Sequence, residues 1–360
     1  MGLRPKPRRE EREFLFHEAP SQPEERGSSF FHEAPSHPEE REGELVFMRL
    51  PQNPKRGRGR FLVDTAQGFA AEVAGRYPDG VSDLAAVLAV AREAALAGGR
   101  VAVEGASDVR YLKWKGPRDA VVGRALDVQD AVVGIIRDHH PSAAVLAEEG
   151  PDDEELPVDA DPLWIVDPIC GSTNYLLHDP HYAVAVGYRE AGFWQVGVVY
   201  EAARDHLYTG VRGGHAELNG QLIRTEQFAD GTEAIERAVV GVDWPGSDDA
   251  RRDMSLVINV LSSQVLGLRS FGSPALGLCA VAAGRLHGYV ALGLKLWDVA
   301  PASVVLQAAG GIVTDTLGAA WMHSQDGGCI ASNATIHGRL ITSFGPLNAL
   351  RKMNAERVRT

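Results

Sequence analysis

A carboxylate, a thiol and a hydroxyl crowd into the stretch Leu163-Trp-Ile-Val-Asp167-Pro-Ile-Cys170-Gly-Ser172-Thr-Asn174-Tyr175. Leu163 to Val166 reads as a strand that ends in an acid and a proline, and Gly171, Ser172 and Thr173 read as a turn into a helix start. The first N–H groups of a helix have no intrahelical partner and carry a partial positive charge, which suits a phosphate, while a strand-end carboxylate suits a hard divalent cation. Asp167 could therefore hold Mg²⁺ against an anion cradled by Gly171, Ser172 and Thr173. The alternative is a turn with Ser172 as a capping residue.

Two further chemistries are open to this stretch. Cys170 reads as lying at a helix N-terminus, where a thiol pKa falls, and so is a candidate nucleophile. His178 or His181 is then the candidate base. A tyrosine-phosphatase-like loop is disfavoured, because Leu176 stands where C-x-x-x-x-x-R needs its arginine. Glu148-Glu149 closes a short apolar run, Ala143 to Leu146, and gives a second pair of strand-end acids; Pro151 to Glu155 reads as a solvated loop.

The elements that must carry these residues follow from periodicity. Leu84, Val87, Leu88, Ala91 and Ala95 predict a helix over Asp79 to Ala97, with Ser82 as its cap and Gly98-Gly99 as its stop. A second helix is predicted over Ala120 to His139, with Lys113 to Asp119 as a polar loop between them. Tyr182 to Gly187, Phe193 to Tyr200 and His206 to Gly210 read as successive strands. An amphipathic helix follows over Asp248 to Leu266. A short strand, Leu268 to Phe271, then leads to Gly272-Ser273-Pro-Ala275-Leu276, and Trp297-Asp298 opens a helix that ends near Ala309-Gly310-Gly311.

The 360 residues are 44% hydrophobic, enough for a large core, with no apolar run long enough to span a bilayer and no export signal, so a cytoplasmic protein without membrane contact is expected. Three cysteines without C-x-x-C spacing disfavour a disulfide framework or structural zinc. The first 60 residues hold 12 Lys/Arg against 11 Asp/Glu, leaving 24 against 37 in the rest, an acidic body that disfavours nucleic acid as a partner. Residues 1–62 are rich in Pro, Glu and Arg and repeat FHEAPSxPEER from Phe16 and again from Phe31, which predicts a disordered tail.

The central stretch resembles the W-x-x-D-P-x-D-G-[ST]-x-N-[FY] signature of the inositol-monophosphatase-like superfamily of metal-dependent phosphatases, with Cys170 where that family has its second aspartate. Glu148-Glu149, Gly272-Ser273-Pro-Ala275-Leu276 and Trp297-Asp298-Val-Ala300 resemble its other segments in the same order. The resemblance implies an α/β (α+β layered) fold, an αβαβα sandwich of the inositol monophosphatase and fructose-1,6-bisphosphatase type. Residues 79–235 would form the metal- and phosphate-binding α+β domain, and 236–350 an α/β domain. It implies a homodimer and a small phosphorylated substrate, a sugar or cyclitol phosphate. Glu148, Asp167, the Ile169 carbonyl and Asp298 would hold Mg²⁺, with Mn²⁺ or Zn²⁺ favoured at a second site weakened by Cys170. Glu148 and Ser172 would activate water, and Gly171, Ser172, Thr173 and Ser273 would contact substrate.

Three family acids are missing besides the one at Cys170: Ala125 and Gln129 stand where it helps hold a third cation, and Ala291 where it binds substrate hydroxyls. Lys295 is the nearby candidate for an anionic substrate. Phosphomonoester hydrolysis is the leading expectation. A scaffold repurposed for other chemistry, with Cys170 as nucleophile, and a non-catalytic binding protein are the alternatives.

Overall fold

Among the described residues a seven-stranded and a five-stranded β-sheet alternate with three helical layers. The computed structural model describes residues 82–106, 111–116, 119–150, 158–228, 234–321 and 328–358. The N-terminal tail with its repeats and the loop Pro151 to Glu155 lie outside the described residues.

Helices α1 (Leu84–Gly105) and α2 (Gly123–His139) cover one face of a seven-stranded sheet. Between them Tyr111–Gly116 (β1) and Asp119–Val122 (β2) pair antiparallel, so the expected polar loop is a hairpin and α2 begins three residues later than predicted. Ordered across the large sheet are β3 (Ala144–Ala147), β4 (Leu163–Cys170), β5 (Ala183–Glu190), β6 (Phe193–Glu201), β7 (His206–Val211), β8 (Ala216–Leu218) and β9 (Gln221–Ile223). Only β3 and β4 run parallel; the remaining neighbours are antiparallel.

Strand β4 is buried along its whole length, as expected of a strand covered on both faces. Its alternation sorts the side chains: Trp164 and Val166 point to the α1/α2 layer, Leu163 and Ile165 to the opposite one. That opposite layer is α5 (Pro274–Ala282) and α6 (Leu296–Ala308), which also back a five-stranded sheet. The smaller sheet runs β11 (Gly267–Arg269), β10 (Val239–Val242), β12 (Gly288–Ala291), β14 (Cys329–Ser332), β13 (Ile312–Thr314). Its outer face packs on α4 (Asp248–Ser262), α7 (His337–Ser343) and α8 (Gly345–Val358). The sequence is therefore the αβαβα sandwich that the resemblance implies. Among the described residues no helix is long and apolar enough to cross a membrane.

Close approaches, made possible by glycine, set the depth of two helices. Gly98-Gly99 do not stop α1, which is capped by Asp83 accepting the Ala85 N–H rather than by Ser82. A Cβ at Gly98 would sit 2.6 Å from Val132 Cγ2, and one at Gly99 2.3 Å from the Tyr200 ring. Each glycine costs about 1 kcal/mol of helix propensity relative to alanine, less than forcing these buried neighbours apart. In the large sheet a Cβ at Gly197 would lie 2.0 Å from the Pro301 carbonyl, and one at Gly210 2.6 Å from Val305 Cα. The middle of helix α6 thus packs directly on the sheet backbone at these two glycines.

One buried histidine sets a pH dependence. His337 in α7 places Nδ1 2.7 Å from Ser332 Oγ and Nε2 3.0 Å from Thr314 Oγ1, and burial lowers its pKa from the ordinary 6.5. A base with a lower pKa folded than unfolded takes up a proton on unfolding, so its share of stability is full above about pH 6.5 and is lost as pH falls through the folded value. Denaturant midpoints should fall between about pH 7.5 and 5, and His337→Gln should flatten that part of the curve; an unchanged slope would assign the dependence to other groups.

Candidate metal centre

Parallel pairing of β3 with β4 brings the first acids together. Glu148, just beyond β3, donates its N–H to the Val166 carbonyl at 3.1 Å, which sets its Cα beside Asp167. The strand does not end at Asp167, as expected, but continues to Cys170. Its pairing with β5 is irregular between these two residues, a local break in the ladder of the kind that re-aims side chains. Asp298 lies in the first turn of α6, where its Oδ2 accepts the Lys295 N–H at 2.6 Å. This cap fixes the carboxylate at the helix start.

The ligand atoms of Asp167, Cys170 and Asp298 lie within 4.8 Å of one another. Asp167 is 1% exposed and, among the described residues, its Oδ1 has no hydrogen-bond donor. Burial, then Glu148 and Asp298, push its pKa well above the usual carboxylate range. Three converging acids, with a buried oxygen lacking a donor, are what a divalent cation satisfies. The donor set fits such an ion.

Cys170 departs from expectation. Its thiol is buried, and its pKa is pushed well up by burial first and by Asp167 and Asp298 next, not lowered by a helix start. Sγ accepts a hydrogen bond from Ser273 Oγ at 3.2 Å and from Ala275 N–H at 3.4 Å, and these donors do not offset the desolvation. The surroundings make it a neutral bridge between β4 and α5 rather than a nucleophile. Ser273, fully buried, spends its hydroxyl on this bridge and on capping α5, which leaves it off the exposed surface. Both candidate histidines are held by hydrogen bonds. His178 Nδ1 sits 3.0 Å from the Ala106 carbonyl. His181 lies between Asp179 at Nδ1 and Arg204 at Nε2; arginine only donates, so the Nε2 lone pair is occupied.

Gly171, with φ of +104°, turns the chain into the short helix α3 (Ser172–Leu176), and a Cβ there would lie 2.9 Å from the His181 carbonyl. Ser172 is partly exposed and Thr173 exposed, while Ile169 is buried beneath them. Asn174 Nδ2 donates to the carbonyls of His181 and Phe271, tying this turn to the one before α5. Lys295 has an exposed side chain at the start of α6. Ala125 and Ala291 are buried in apolar surroundings.

Sequence reasoning missed Asp243. Its Oδ1 accepts from Ser270 Oγ, Phe271 N–H and Gly272 N–H, and its Oδ2 from Tyr289 OH, at 2.7–2.9 Å. This one carboxylate shapes the turn that meets Cys170 and Asn174. An acid directly after the apolar run Val239 to Val242 was the available signal.

A five-layered sandwich whose acids meet where a strand ends and a helix begins defines the scaffold of metal-dependent phosphatases. The inositol monophosphatase family matches residues 83–348, and the chain belongs to that family. It is 33% identical over 232 residues to the Nus factor SuhB of Pasteurella multocida, covering 64% of this chain and 85% of that one. Among solved structures it is similar to the extragenic suppressor protein suhB from Bartonella henselae, with a TM-score of 0.66, 29% identity, and coverage of 72% of this chain and 98% of that one. The inositol monophosphatase from Anabaena gives a TM-score of 0.62 and 29% identity, with coverage of 74% and 97%.

Proposed function

We propose that the protein is a divalent-cation-dependent phosphomonoesterase acting on a sugar or cyclitol phosphate, with Mg²⁺ as the physiological ion and Mn²⁺ or Zn²⁺ as softer substitutes. The observation that carries this reading is Asp167, a buried carboxylate with an unsatisfied oxygen crowded by Glu148 and Asp298. Glu148, Asp167, Asp298 and the Ile169 carbonyl would hold the ion. When bound, it neutralises charge on the phosphoryl oxygens and leaving group. Backbone N–H groups of Gly171, Ser172 and Thr173 would orient the phosphate, and the exposed Lys295 would meet a second anionic group. Glu148 takes the proton of the attacking water, and the Ser172 hydroxyl fixes that water's direction.

A second reading is a binding protein on the same scaffold. It draws support from Cys170 among the ligand residues and from relatives named Nus factor. Phosphate release from a panel of sugar and inositol phosphates separates the two. Hydrolysis is expected with Mg²⁺ or Mn²⁺ and none with EDTA; inertness with every ion would favour the binding reading.

A further inference from the structure

We propose that Gln129 is a positioning residue for Glu148 and, through it, for the cation. The proposal rests on the reading of Glu148, Asp167 and Asp298 as a cation site. By family resemblance Gln129 is a lost acid, but its side chain is bonded. Its Nε2 donates to the Glu149 carbonyl at 3.2 Å and its Oε1 accepts the Glu149 N–H at 3.0 Å.

The need for such a partner comes from the sheet. Among the described residues strand β3 is its edge strand, paired by β4. Glu148 is fixed toward β4 through its own N–H on Val166, yet the next peptide lies past the end of β3. Gln129 supplies the two main-chain bonds that a neighbouring strand would give, so Glu148 is held through the peptide groups before and after its Cα. An amide suits this because it donates and accepts at once from one planar group; an ionised glutamate can only accept, and would face the Glu149 carbonyl with a charge. Gln129 also lies one helical turn after the buried Ala125, on the face of α2 that packs toward the sheet. Packing therefore limits its swing.

The test is Mn²⁺ binding to the full chain, followed by loss of the free-ion electron paramagnetic resonance signal, a readout independent of turnover. Wild type should bind and Asp167→Asn should not. Gln129→Ala should weaken binding by roughly tenfold or more, as loss of partners that orient ligands does elsewhere, and Gln129→Glu by at least as much. In a Glu148→Gln background, Gln129→Ala should add nothing, an outcome that a general loss of stability would not give. Unchanged affinity in Gln129→Ala, or a further additive loss in the Glu148→Gln background, would overturn the proposal. Tighter binding by Gln129→Glu would also overturn it, making the position a vacated ligand site. Failure of the wild type to bind Mn²⁺ would instead remove the cation reading, and this proposal with it.

Discussion

Asp167→Asn should abolish phosphate release, by about 10³-fold or more, while making the metal-free protein more resistant to heat. Both halves follow from one feature. The carboxylate is buried and one of its oxygens has no donor, with Glu148 and Asp298 pressing on the same space. With a cation present these charges are ligands, and removing one takes away several kcal/mol of charge stabilisation in the transition state. Without the cation they repel one another in a poorly solvated site. An asparagine has nearly the same shape, carries no charge, and turns a donor toward its acidic neighbours. The gain should be on the order of 1–3 kcal/mol, a rise in melting temperature of several degrees in EDTA. Calorimetry of EDTA-treated protein reads it directly. A lower melting temperature for the variant would mean that Asp167 is held by structural partners, and the case for a cation site would lose its main support.

How far the sequence reveals this arrangement depends on where each residue's partner lies. The strand was legible over Leu163 to Val166, where its apolar run is continuous, but its extension to Cys170 was not. The fold class was legible because three separate segments recur in family order. Local rules failed where a distant side chain overrides them. Gly98-Gly99 looks like a helix stop until Val132 and Tyr200 are seen to occupy the space of the missing Cβ atoms. Lys113 to Asp119 looks polar and irregular, yet its backbone pairs in a hairpin. Of the site, Glu148, Asp167 and Asp298 could be named from motifs. Gln129 was marked only as a lost acid and Asp243 not at all, because the main-chain groups they bond lie 20 to 29 positions away. The thiol of Cys170 was misjudged for the same reason. Proximity in sequence to a helix start says nothing of how deeply the sulfur is buried.

Cys170→Asp should raise Mg²⁺-dependent phosphate release, by about tenfold to a hundredfold, and make stability depend more steeply on Mg²⁺. A carboxylate is the hard oxygen donor that Mg²⁺ prefers, whereas a thiol is a poor one. The site already holds the donors a carboxylate needs. Ser273 Oγ and the Ala275 N–H now point at Sγ, and the N-terminus of α5 favours negative charge there. These contacts offset part of the desolvation but not the repulsion from Asp167 and Asp298, so the metal-free variant should melt below wild type. Added Mg²⁺ should more than restore it, since a ligand that binds only the folded state stabilises it in proportion to the logarithm of its concentration over Kd. Cys170→Ser is the contrasting change: a neutral oxygen too short to replace the carboxylate, expected to leave the Mg²⁺ response close to wild type. If Cys170→Asp tightens Mg²⁺ binding without releasing more phosphate, the ligand set is repaired but the substrate is not a phosphomonoester. The scaffold would then have been turned to other work, and the buried thiol would be a consequence of that change.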